Sequence, residues 1–214
     1  VDDPGLRIFL AACILLIGAY FIGLRVNRRT GRVLARWVRD GLTVTGGDAT
    51  IRWLGSSGFV IEVGDLEAPL AHMTVTALLL PREVALLWLY YHLRGRQDAL
   101  VVRCRLVHPP RAALEILSRT SVFTRGHLAR LEAEPGWTVR ARDGFAIATR
   151  PGAEHVAERL WELFRDLRPG VWQMSVRDSD PHLQVGLLPR SLRDATSIFG
   201  RVAEAARLAG AGAR

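Results

Sequence analysis

The chain has 214 residues, 29 basic and 21 acidic, with a formal charge of +8 and 49% hydrophobic content, enough for a membrane segment and one domain with a sizeable core. Every basic residue is arginine, which excludes a Walker A phosphate lysine, a kinase strand lysine and a lysine Schiff base. The two cysteines, Cys13 and Cys104, exclude a disulfide scaffold and a cysteine-rich metal site, and fit a reducing compartment.

Residues 1–7 form a short leader holding Asp2, Asp3 and Arg7. Residues 8–24 are an uncharged apolar run whose helical length, about 26 Å, nearly matches a hydrocarbon core about 30 Å thick. Leu6, with Arg7 and Arg25 snorkelling outward, closes the gap. The alternatives are a buried core helix and a cleaved signal peptide. Against the first stands the lack of any polar position; against the second, the run ends in Leu24-Arg25-Val26-Asn27 rather than a small-x-small site. The reading is an uncleaved signal anchor.

Arg25, Arg28, Arg29, Arg32, Arg36 and Arg39 follow the run with no acid before Asp40. The positive-inside rule then places the leader outside and the rest of the chain in the cytosol. Their three-and-four spacing predicts a basic amphipathic helix over 25–45, with Val26, Val33, Leu34 and Trp37 on its apolar side. Besides setting topology, these arginines are candidates for binding lipid or RNA phosphate.

Residues 46–208 are expected to form an α+β domain of repeated strand-pair and helix units. Thr50–Leu54 and Phe59–Val63 about Gly55-Ser56-Ser57-Gly58 predict a hairpin. Met73–Leu80 predicts a strand, Glu83–Leu93 a short helix packed on the sheet, and Ala99–Val107 another strand. Thr124 is a candidate cap for a helix over His127, Leu128 and Leu131. Trp137–Arg142 and Phe145–Thr149 about Asp143-Gly144 predict a tight hairpin. A long helix carries Val156, Leu160, Leu163, Phe164 and Leu167 inward. Strands at Val171–Arg177 and Leu183–Leu188 precede a last helix opened by a capping box of Ser191 and Asp194. Residues 209–214 are expected to be a disordered tail. No Gly-rich phosphate loop sits at a strand-to-helix turn, so helices on one face of a sheet are favoured over a doubly wound nucleotide fold.

Little in the sequence carries reaction chemistry. Neither Ser56 nor Ser57 has the flanking glycines of a nucleophile elbow, and the six histidines never pair at metal spacing. No catalytic residue, metal site or cofactor is expected. The cluster Asp178, Asp180 and His182 reads first as a turn, with a membrane-tethered hydrolase or transferase as the alternative it would serve. Arg103 and Arg105 on one strand and Arg140 and Arg142 on another would make a basic sheet face if those strands are neighbours. Trp137 should fall opposite Arg140 and Arg142, and Trp172 opposite Arg177, which disfavours base stacking on the sheet. The apolar stretch Ala85–Tyr91 reads as core, or else as a docking surface for a membrane subunit.

The order of parts resembles the calumin family, single-pass coiled-coil-domain proteins of the endoplasmic reticulum and part of the intramembrane chaperone complex of the multipass translocon. The likeness lies in the span ending Tyr20-Phe21-Ile22-Gly23, then Leu34-Ala35 and Trp37, Arg82 opening a helix after Pro81, Phe145-Ala146-Ile147-Ala148-Thr149-Arg150, and Leu187-Leu188-Pro189. It implies a non-enzymatic partner protein assisting membrane-protein insertion or assembly, with Arg28, Arg29, Arg32 and Arg36 contacting RNA or lipid phosphate. The family's acidic luminal segment and basic C-terminal coiled coil have no counterpart in these residues, so the likeness implies neither calcium binding nor the family's route to the ribosome.

The expectation is therefore a single-pass scaffold of the cell membrane, or of the endoplasmic reticulum in a eukaryote, with its C-terminal domain in the cytosol. Membrane lipids and other membrane-protein subunits are the expected partners, ribosome or RNA further ones, and DNA not. An assembly factor or accessory subunit of another membrane complex is the remaining alternative.

Overall fold

The structure is a computed structural model that describes residues 4–191 and 194–211, without the side chain of Ser191. It is α+β: a long apolar N-terminal helix leads into an antiparallel nine-stranded sheet.

Helix α1 runs unbroken from Pro4 to Leu42, so the apolar run and the arginine stretch share one rod. It is the one helix among the described residues long and apolar enough to cross a membrane, and none of its most apolar window is buried. The buried seam starts at Gly23 and continues through Asn27, Gly31, Leu34, Ala35, Val38 and Gly41. Val26 and Val33, expected inside, are exposed, because small residues at steps of four let the helix lie closer to its neighbours than branched ones would. A Cβ on Gly41 would stand 2.5 Å from the Phe199 ring, and one on Gly31 3.1 Å from Trp53.

After a 3₁₀ turn, the strands and helices are β1 (Asp48–Trp53), β2 (Gly58–Gly64), β3 (Leu70–Leu78), α2 (Ala85–Leu93), β4 (Ala99–Leu106), β5 (Leu114–Ser118), α3 (Arg125–Ala133), β6 (Thr138–Arg142), β7 (Phe145–Thr149), α4 (Glu154–Leu163), β8 (Val171–Val176), β9 (Leu183–Leu187) and α5 (Ala195–Ala211). The sheet order is β1-β2-β3-β4-β9-β8-β5-β7-β6. Strand alternation gives it two chemically different faces. One row of partners, Ile61, Val75, Val102, Val185, Met174, Ile116 and Ile147, packs under α1, α4 and α5 in the main core. The next row, Glu62, Thr74, Arg103, Gln184, Ser175, Glu115 and Ala148, faces the other way. Its β5–β7–β6 end is covered by α3, where Leu131 meets Leu117, Ala148 and Trp137; Val60 and Val101 are also buried on this face, while Glu62 and Arg103 are exposed.

The Asp143-Gly144 hairpin forms with both residues at positive φ, 45° and 81°, the twist that matches its strands. Several expectations need correction. Strand β5 was not foreseen. Thr124 does not cap α3 with its side chain; buried, its hydroxyl donates to the carbonyls of Ser118 and Ser121. The helix after Glu154 gives way to a 3₁₀ turn over Arg165–Gly170 that contains Pro169, which lacks the amide that α-helix would need. Helix α5 continues past Leu208 to Ala211, with Ala209 fully buried, while residues 212–214 lie outside the described residues. Asp194, through its carboxylate, accepts from Thr196 N at 3.0 Å; the Ser191 half of the expected capping box lies outside the described side chains.

Candidate functional site

The six arginines that follow the apolar run, Arg25, Arg28, Arg29, Arg32, Arg36 and Arg39, are all exposed on α1, opposite the seam that binds the domain. Arg32 donates to the Arg28 carbonyl at 3.2 Å and Arg39 stands 3.9 Å from Asp40. Arg32, Arg36 and Arg39 also border a groove of about 220 Å³ against Ala49, Ile51 and Trp53 of the edge strand. The helix therefore presents a basic stripe directly below its apolar half, held at a fixed angle by the fold.

A buried polar junction sets that angle. Asn27, fully buried, donates to the Leu80 carbonyl at 2.9 Å and to Glu83 at 2.6 Å. Its amide oxygen accepts from Arg82 at 2.8 Å. The other arm of Arg82 reaches Asp98 at 2.8 Å, and Asp98 also takes the Leu80 amide at 2.8 Å. Ser56 and Ser57, at the β1–β2 turn, donate to Glu83 at 2.9 and 2.7 Å. Burial pushes the Glu83 carboxyl up, but donors from Ser57, its own backbone, Ser56 and Asn27 outweigh it, leaving the pKa below its ordinary 4.5. The Gly55–Gly58 segment is thus a turn whose serines clamp a carboxylate. Sequence reasoning missed Asn27, Glu83 and Asp98; the signal was a lone amide in the Gly23, Asn27, Gly31, Ala35 seam.

Beyond this junction projects α2, none of whose residues is buried. It was expected to pack on the sheet as core, or else to be a docking surface. Instead the Arg82 bonds hold its start against α1, past the end of the β3–β4 ladder, and leave its leucines outside.

The remaining candidates are not brought together. Four strands separate β4 from β6, and Arg103 and Arg105 are exposed on the face away from α1, α4 and α5, whereas Arg140 and Arg142 pair with Ile147 and Phe145 on the helix side. There Arg142 meets Glu158 at 2.6 Å and sits over Trp161. No joint basic face forms. Trp172, expected opposite Arg177, lies over Gly186 on the same face, because the ladder slips between Val171 and Gln173; buried against Phe123 at 5.1 Å, it offers no stacking platform. Asp178 and Asp180 are exposed in the β8–β9 turn. His182 points inward, its Nδ1 accepting from Leu106 N at 2.9 Å. Among the described residues no group of three or more His, Cys, Asp or Glu is placed to hold a metal.

One buried carboxylate was also missed. Glu115, the single charge in the apolar strand Leu114–Leu117, has no exposed surface and accepts from Ser175 at 2.7 Å and from Arg177 Nε at 2.8 Å. His127 of α3 stands 3.5 Å away, beside a cavity of about 610 Å³ that Arg111, Arg130 and Arg150 also line. The group ties α3 to the sheet face that it covers.

No known protein family matches the chain, and no curated protein does either.

Proposed function

We propose that the chain is a membrane-anchored, non-enzymatic scaffold: α1 crosses the bilayer once through residues 8–24, the α+β domain faces the cytosol, and the protein binds membrane-protein partners during their insertion or assembly at a translocon. The observation that carries this reading is the division of one unbroken helix into an exposed apolar half and a half whose arginines are exposed opposite a buried seam, joined to the domain by the Asn27–Arg82–Glu83 junction. A helix free to swivel would anchor the domain without orienting it. One fixed by buried hydrogen bonds holds the same face toward lipid and toward whatever sits beside it.

The arginine stripe supports contact with anionic head groups, and with ribosomal RNA where a ribosome docks nearby. The resemblance to the calumin family in the order of parts points the same way. His182 is taken up in a structural bond from the Leu106 amide while Asp178 and Asp180 are exposed in the turn, which supports a binding role over a hydrolase built on the three. Purification of the full chain from membranes in mild detergent tests the reading. Translocon components or other membrane-protein subunits should accompany it in fixed ratio, and fall away when Arg28, Arg29, Arg32 and Arg36 become glutamine. A chain that purifies alone and turns over a substrate would overturn it.

A further inference from the structure

We infer that α2 is a second membrane contact, a short helix lying in the boundary between head groups and acyl chains beside the foot of α1. The proposal rests on the reading that residues 8–24 span the bilayer, and adds to it a surface that the sequence assigned to the core or to a membrane-subunit contact.

Position comes first. A Cβ on Gly23 would lie 2.0 Å from the Arg82 carbonyl oxygen and 2.6 Å from the Glu83 amide nitrogen, so the segment opening α2 touches α1 where the apolar run ends. Ala85, two residues on, starts the helix. With residues 8–24 in hydrocarbon, the start of α2 lies at the level of the interface. Its length, about 13 Å at the helical rise, suits an element lying flat there.

Composition comes second. Leu86 and Leu93 are 74% and 77% exposed, and Leu87, Leu89 and Tyr90 are exposed as well. The apolar rim continues onto neighbouring segments, with Trp53 and Leu54 at the β1–β2 turn, Leu78 at the end of β3, and Val84. After α1, the other large apolar residues exposed among the described residues are Val44, Ile51 and Val107. So much apolar surface gathered at one end of a domain, continuous with an apolar rod, is what a protein resting on a bilayer exposes.

Charge comes third and selects lipid over a protein groove. Arg94 sits over the Tyr90 ring at 5.1 Å and Arg96 over Tyr91 at 4.7 Å, pairing aromatic rings suited to the interface with cations that reach phosphate. The carboxylates at this end, Glu83 and Asp98, are already bonded inside the junction. What remains for the outside is cationic, complementary to an anionic leaflet.

The test uses the full chain with Cys13→Ala, reconstituted in vesicles of phosphatidylcholine and phosphatidylglycerol that carry doxyl-labelled lipid. Cys104 is buried with its thiol pushed up to about 12, so it does not react with the label at neutral pH. A fluorophore is placed in turn at Phe9→Cys, Leu86→Cys, Leu93→Cys and, at the far end of β4, Val107→Cys. Lipid-borne quenching several-fold stronger at 86 and 93 than at 107, alongside strong quenching at 9, supports the inference. Strong quenching at 9 with 86 and 93 no different from 107 overturns it and leaves the span intact. Labels at 86 and 93 shielded from both lipid and aqueous quenchers mean that the chain's own domain or a second copy covers α2, which also overturns it. Absence of quenching at 9 removes the span and this contact together.

Discussion

Gly23 and Arg82 approach so closely that a side chain on the first would overlap the main chain of the second: a Cβ there would stand 2.0 Å from the Arg82 carbonyl oxygen and 2.3 Å from its carbon. Backbone cannot yield as a flexible side chain does, so even alanine forces α1 away from the domain. Gly23→Ala should cost about 1–3 kcal/mol, the usual range for overpacking, seen as a lower thermal midpoint in detergent. Gly18→Ala, with nothing within 4 Å of its Cβ position, is the control and should leave the midpoint unchanged.

Asn27 is the hub of the same contact. Asn27→Leu removes one bond each from the Arg82 guanidinium, the Leu80 carbonyl and Glu83, which keep Asp98, the Arg82 amide and the two serines, and should destabilise by about 1–3 kcal/mol through the three buried bonds lost. Limited proteolysis between α1 and β1 would then accelerate. An unchanged cleavage rate would mean that the junction does not fix the helix.

Glu83 makes the junction sensitive to acid. Its folded pKa lies below the ordinary 4.5, so the ionised form favours the fold; this contribution is present above pH 4.5 and is lost as pH falls through the lower folded value. The thermal midpoint should fall as pH drops below 4.5, and Glu83→Gln should flatten that fall. An equal slope in the variant would assign the acid sensitivity to other carboxylates.

Arg28, Arg29, Arg32 and Arg36 are exposed on one rod, which predicts graded electrostatic binding. Each arginine near an anionic leaflet is worth about 1 kcal/mol. In the full chain the anchor hides that term, so the readout is the recovery of anionic lipid bound around the detergent-solubilised protein. Replacing all four with glutamine should lower that recovery and flatten its dependence on salt. Recovery that is unchanged at low and high salt would reduce the stripe to a topology signal.

Much of the architecture was legible because periodicity reports burial. The apolar rod, the Asp143-Gly144 hairpin and the apolar side of α4 each repeat at a spacing that one geometry explains. Strand β5 was not legible: its five residues, Leu114–Ser118, are buried on both faces and show no alternation. The seam of α1 was read in part: Leu34 is buried and Trp37 packs against the core, but counting apolar residues also selects Val26 and Val33, whereas close packing selects Gly23, Asn27 and Gly31. An all-apolar helix such as α2 looks the same in sequence whether protein or lipid covers it, and only its place beside Gly23 separates the two. The arginines of β4 and β6 looked like one surface because their alternation is local, while strand order is a property of the whole sheet.

The central claim is that the apolar half of α1 lies across a bilayer with the folded domain on the cytosolic side. Sealed cells expressing the full chain with a C-terminal epitope, treated with external protease before and after permeabilisation and then fractionated by ultracentrifugation, test it most directly. The account predicts that the chain sediments with membranes, resists alkaline extraction, and keeps its epitope until the cells are opened. A chain recovered in the supernatant, or an epitope lost from intact cells, would contradict it.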